Sequence, residues 1–68
     1  LVLVEDVFTT GGSALRTLTA IRDEGFEVAA IFALVDREEG GLQRVQSESG
    51  VARVEALYGR SDFPGGAR

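Results

Sequence analysis

With 68 residues the chain can form one small domain at most, and a domain of that size buries only about 60% of the surface its unfolded chain exposes. Eleven acidic residues against seven basic ones, every one of the seven an Arg, leave a net charge of −4, which argues against a sequence-independent nucleic-acid surface. There is no Cys for a disulfide and no His or thiolate for a zinc site, and no apolar run approaches the roughly 18 residues of a membrane span, so a cytoplasmic protein without a membrane role is expected.

The first element is a strand from Leu1 to Asp6. Leu1, Val2, Leu3 and Val4 form a continuous β-prone run, the signature of a strand buried on both faces of a parallel sheet. Such sheets bind ligands outside the carboxyl ends of their strands, and Glu5 and Asp6 stand at that end. A carboxylate there can accept two hydroxyl hydrogen bonds, so a cis-diol such as a ribose is a natural ligand. Alternation along an extended backbone points the two side chains in opposite directions unless the chain is already turning.

After Val7 and Phe8 come Thr9, Thr10, Gly11, Gly12 and Ser13, which remove bulk where the backbone must fold sharply. A helix opening at Ser13 would aim its free N–H groups at this loop, with three hydroxyls beside them. The result is an anion site sized for a phosphate. The loop has neither the lysine of GxxxxGK[ST] nor the spacing of GxGxxG, which excludes a nucleoside triphosphate P-loop and a dinucleotide fingerprint.

From Ser13 to Gly25, Ala14, Leu18 and Ile21 recur at near-helical spacing, with Ser13 as N-cap and Gly25 as C-cap. Val28 to Val35 is apolar throughout and reads as a second strand buried on both faces. Strand, helix and strand in about 35 residues make a right-handed βαβ unit, which brings Asp36-Arg37-Glu38-Glu39-Gly40-Gly41 to the same edge as Glu5 and Asp6. Arg37 can pair with a neighbouring carboxylate on the surface, for at most about 1 kcal/mol, or grip the carboxylate of a ligand with its guanidinium fork.

Leu42 to Ser49 is a short polar helix ended by Gly50, and Val51 to Tyr58 alternates, which places this third strand nearer the sheet edge than the first two. A domain portion over residues 1–64 and a mobile tail over 65–68 are expected, with Ser61, Asp62, Phe63 and Pro64 opening a terminal helix. The chain begins without Met inside a core-type strand, which predicts that it is the carboxyl-terminal part of a larger domain.

The stretch VLVEDVFTTGGS resembles the phosphoribosyl pyrophosphate (PRPP) motif of type I phosphoribosyltransferases, and DREEGG after the second strand resembles the orotate phosphoribosyltransferases in particular. The resemblance implies an α/β architecture, the parallel-sheet βαβαβ portion of a Rossmann-like fold. It implies that Glu5 and Asp6 are the catalytic pair and hold the ribose 2- and 3-hydroxyls. Val7, Phe8, Thr9, Thr10, Gly11, Gly12 and Ser13 complete the PRPP site, and Arg37, with Thr9, binds orotate.

The implied reaction transfers 5-phosphoribose from PRPP to N1 of orotate, giving orotidine 5-monophosphate and pyrophosphate for pyrimidine synthesis. Negative charge near the ribose suits a transition state with oxocarbenium character. Mg²⁺ would ride on the pyrophosphate without a protein ligand. The cationic donors for the departing pyrophosphate are implied to lie upstream, on a mobile loop reaching in from the partner of a homodimer. Two further readings share the loop: a transferase for a purine or another base, against which DREEGG counts, and a non-catalytic PRPP-binding regulator.

Overall fold

Apolar stretches alternate with glycine-led helices in the computed structural model, which describes residues 1–62, in the order strand, helix, strand, helix, strand. These are β1 (Val2–Phe8), α1 (Gly12–Asp23), β2 (Ala30–Asp36), α2 (Gly41–Glu48) and β3 (Arg53–Gly59), followed by a 3-10 turn over Arg60–Asp62. The expected terminal helix reaches the described residues only as Ser61 and Asp62 in that turn; Phe63, Pro64 and the tail over 65–68 lie outside them.

The three strands form one parallel sheet in the order β1-β2-β3, as the two apolar runs flanking an amphipathic segment require. Leu3, Ile31 and Val54 stand in register across it, and Glu5, Ala33 and Ala56 form the row two residues on. Helix α1 presents Ala14 and Leu18 to that face, and α2 presents Val45. With Phe8, Val28, Ile31, Ala33, Val51 and Val54 they make a single core cluster. Burying each larger aliphatic or aromatic side chain there contributes about 1.5–3 kcal/mol.

Both helix ends are closed from the backbone. At the end of α1 the amide of Gly25 donates to Arg22 O at 2.9 Å and that of Phe26 to Ile21 O at 3.3 Å, the paired bonds of a Schellman motif, so Glu24 is the C-cap and Gly25, expected there, stands one residue beyond it. Behind α2, Ser49 is buried: its carbonyl accepts from Arg22 Nη1 at 2.7 Å and its hydroxyl from Val51 N at 3.1 Å, which ties α1 to the α2–β3 turn.

One expectation is corrected. The first two strands are not buried on both faces: Val2 and Val4 are 56% and 68% exposed and Leu34 is 48% exposed. In a sequential parallel order with crossovers of one hand, both helices fall on the same side of the sheet, and both feed the same core. The opposite side keeps Val2, Val4, Leu34 and Leu57 open, with Phe32 under the Arg53 guanidinium, 5.5 Å from the ring centroid. The strand positions also differ, since β2 is the middle strand and β1 flanks it as β3 does.

Candidate functional site

Because all three strands are parallel and Phe8, Asp36 and Gly59 are aligned, the segments that leave β1, β2 and β3 gather along one edge. The sheet brings the TTGGS loop and the DREEGG segment there together, from positions about 30 residues apart in sequence.

The loop after β1 turns at Gly11, whose φ of 89° suits glycine and few other residues. Gly11 is the N-cap of α1, and the first helical bond runs from Leu15 N to Gly11 O at 3.1 Å. The amides of Gly12, Ser13 and Ala14 therefore precede any intrahelical acceptor, which suits them to an anion. Ser13 is not the N-cap expected of it: the left-handed turn at Gly11 starts the helix earlier, and no side chain caps it. Ser13 sits exposed in the first turn, Thr10 is exposed and Thr9 half-buried.

Helix α2 begins the same way, with Gly40 as N-cap and Gly41 as its first residue. Gly41 rests on the β1 loop. A Cβ there would meet Thr9 O, the Thr9 carbonyl carbon at 2.8 Å and Gly11 N at 2.9 Å. The contact is reciprocal, since a Cβ on Gly11 would lie 2.9 Å from Gly41 O and 3.0 Å from Val45 Cγ2.

Glu5 and Asp6 lie within β1 and not beyond it, because Val7 and Phe8 extend the strand. Alternation therefore holds. Glu5 pairs in register with the core residue Ala33 and is half-buried beside small side chains, while Asp6 is exposed. Glu5 Oε1 is buried without a hydrogen-bond partner, an acceptor facing no donor. Val7 is exposed, whereas the Phe8 ring is 1% exposed and belongs to the core.

The backbone of Arg37 is fastened to the end of β1: its amide donates to Phe8 O at 2.9 Å. Asp36, buried beside it, accepts from Glu38 N at 2.9 Å, and Glu38 takes a φ of 62° to make that turn. The Arg37 side chain reaches Glu39, with Nε 3.3 Å from Oε2 and the two side chains 53% and 40% exposed. Such a pair contributes about 1 kcal/mol at most and yields readily to a stronger carboxylate.

Two residues at the loop escape a reading by motif. Arg16 and Arg44 line a cleft of about 420 Å³ with Thr10, Gly12, Leu15 and Thr19. Their signal is spacing: Arg16 follows Gly12 by four residues and Arg44 follows Gly41 by three, so each side chain leans back over the start of its own helix. Among the described residues no group of three or more His, Cys, Asp or Glu could hold a metal ion, and no helix is long and apolar enough to cross a membrane.

No protein-family model matches the chain. Curated proteins do. It is 52% identical over 46 residues to the orotate phosphoribosyltransferase of Aquifex aeolicus, covering 68% of this chain and 25% of that protein. It is 44% identical over 62 residues to that of Rhodopseudomonas palustris, covering 91% and 32%, and 45% identical over 65 residues to that of Thermococcus kodakarensis, covering 91% and 35%. The chain thus spans between a quarter and about a third of the length of these relatives. Identity at this level across so much of the chain, in proteins that share one name, makes these 68 residues a segment of the orotate phosphoribosyltransferase family.

Proposed function

We propose that the complete protein transfers 5-phosphoribose from PRPP to N1 of orotate, releasing pyrophosphate and orotidine 5-monophosphate. The observation that carries this is the bond from Arg37 N to Phe8 O, which holds the arginine segment against the strand that leads into the glycine loop. A guanidinium suited to the orotate carboxylate and a loop suited to the ribose 5-phosphate then share one edge.

In this reading the loop over Thr9, Thr10, Gly11, Gly12 and Ser13 binds the 5-phosphate through amides that have no helical acceptor. The unpartnered Glu5 Oε1 is an acceptor available for a ribose hydroxyl, and Asp6, on the other face of β1, adds its charge near the site. Their charge stabilises the carbon centre as the pyrophosphate departs. Arg37 exchanges Glu39 for the orotate carboxylate, with Thr9 beside it. In this reading Mg²⁺ rides on pyrophosphate oxygens and water, as its preference for substrate phosphates and retained waters suggests, and no residue here is assigned to it. The cationic donors to the pyrophosphate come from outside this segment, in a cytoplasmic homodimer.

The test is turnover by the purified complete protein with PRPP, Mg²⁺ and either orotate or a purine base. Orotate consumption with stoichiometric pyrophosphate release is expected. Transfer to the purine instead would reassign the substrate, and PRPP binding without turnover would identify a regulator.

A further inference from the structure

We infer that Ser61, in the turn after β3, holds the Glu38 carboxylate away from the neighbouring Arg37 guanidinium and so leaves Arg37 open to the carboxylate of orotate. Ser61 and Glu38 are positioning residues that act through Arg37. This role rests on the transferase reading, which gives Arg37 to orotate, and adds to it what keeps that guanidinium available.

Arg37 is flanked by the carboxylates of Asp36, Glu38 and Glu39, any of which could occupy its guanidinium in place of a ligand. Among the described residues only Glu39 pairs with it, at 3.3 Å between exposed side chains. Asp36 is buried, and its Oδ1 is engaged by Glu38 N at 2.9 Å. Glu38 adjoins Arg37 in sequence yet turns away from it. Its φ of 62° is the one positive value outside glycine among the described residues, and its carboxylate crosses to the end of β3, where Oε2 accepts from Ser61 Oγ at 3.0 Å.

The end of β3 leaves room for that carboxylate. Gly59 is aligned with Asp36 across the sheet, and a Cβ on it would lie 2.7 Å from Glu38 Oε2, so the absent side chain is what admits the group. Asp62 lies on the same spot: its Oδ2 accepts from Gly59 N at 2.7 Å and would stand 3.7 Å from that Cβ. Two carboxylates gathered at one glycine repel each other, and the Ser61 hydroxyl is the donor that holds Glu38 there. Without that donor Asp62 drives Glu38 off, and the guanidinium next to it in sequence is Arg37. A released Glu38 opposes orotate twice, by pairing with Arg37 and by repelling the incoming carboxylate.

Steady-state kinetics on the complete protein, with orotate varied at saturating PRPP, test this by two separate routes. Ser61→Ala removes the donor, whereas Gly59→Ala fills the space with a methyl group whose nearest obstacle is the far end of the flexible Glu38 side chain. Each should raise the KM for orotate about two- to fivefold, the range of an exposed ion pair, with kcat and PRPP affinity unchanged. Ser61→Thr keeps the hydroxyl and should keep the wild-type KM. Adding Glu38→Gln to Ser61→Ala should restore the KM, because a neutral amide neither pairs with the guanidinium as an ion nor repels orotate. Damage to the turn itself would not be rescued in this way. A KM unchanged in both Ser61→Ala and Gly59→Ala, as would follow if Arg60 took up the released carboxylate, overturns the proposal and leaves the transferase reading standing. So does a raised KM that Glu38→Gln does not restore. Absence of orotate turnover in the wild type overturns both.

Discussion

Gly41, the first residue of α2, lies against the backbone of Thr9, so closely that a methyl group on it would press into the Thr9 carbonyl and sit 2.9 Å from Gly11 N. The DREEGG segment is thereby a physical support of the TTGGS loop. Gly41→Ala should lower stability by about 1–3 kcal/mol, because backbone must move to admit a methyl group, and should raise the KM for PRPP by displacing the loop. Gly40, by contrast, has open space around its Cβ position, so Gly40→Asn should cost only the strain of its φ of 89°, about 1 kcal/mol, and leave the KM for PRPP unchanged. Thermal melts and PRPP kinetics on both variants check the pair.

Glu5 keeps a buried oxygen without a partner, beside Ala33 and Ala56. An apolar side chain of similar size removes an unsatisfied acceptor, so Glu5→Leu should leave the melting temperature unchanged or raise it. Activity should fall by about 10²–10³ in kcat/KM for PRPP, the loss typical of a group aimed at transition-state charge. A variant both less stable and fully active would contradict the role given to Glu5.

Asp6 is exposed on the other side of β1. Asp6→Asn should change stability by no more than about 0.5 kcal/mol, as for most surface substitutions. It keeps the shape of the site but removes a charge opposite the developing cation, so kcat should fall more than PRPP affinity. Steady-state rates alongside a direct PRPP titration separate the two effects.

Much of this was legible in the residues. Parallel strands followed from two apolar runs around an amphipathic helix, and the edge that gathers the TTGGS loop and Arg37 followed from the strand direction, whereas Glu5 and Asp6 lie within β1, short of that edge. What the sequence could not reveal depends on the third dimension. Val2 and Val4 read as fully buried because burial on one face and on two faces gives the same apolar run. Ser13 read as an N-cap because its side chain is suited to one, whereas the left-handed turn at Gly11 decides where α1 starts. The convergence of Arg16 and Arg44 needs the α1–α2 packing, which no local spacing encodes.

The open sheet face makes a further prediction. Val2, Val4, Leu34 and Leu57 expose apolar surface that helices on the other side cannot reach. The isolated 68 residues should therefore unfold without a sharp cooperative transition, bind a hydrophobic dye and show no turnover. Circular dichroism melts and an orotate assay on the isolated segment would contradict this if they gave a steep transition and activity.

The central claim, that one sheet edge divides ribose phosphate from pyrimidine recognition, is tested most directly by Arg37→Ala in the complete protein. With orotate varied at saturating PRPP, the KM for orotate should rise and kcat/KM should fall by about 2–4 kcal/mol, the loss expected for a charge-assisted pair taken out of water. A direct titration should show PRPP affinity almost unchanged, because the loop around Gly11 holds the phosphate. An unchanged KM for orotate, or an equal loss of PRPP binding, would mean that Arg37 serves only its surface contact with Glu39.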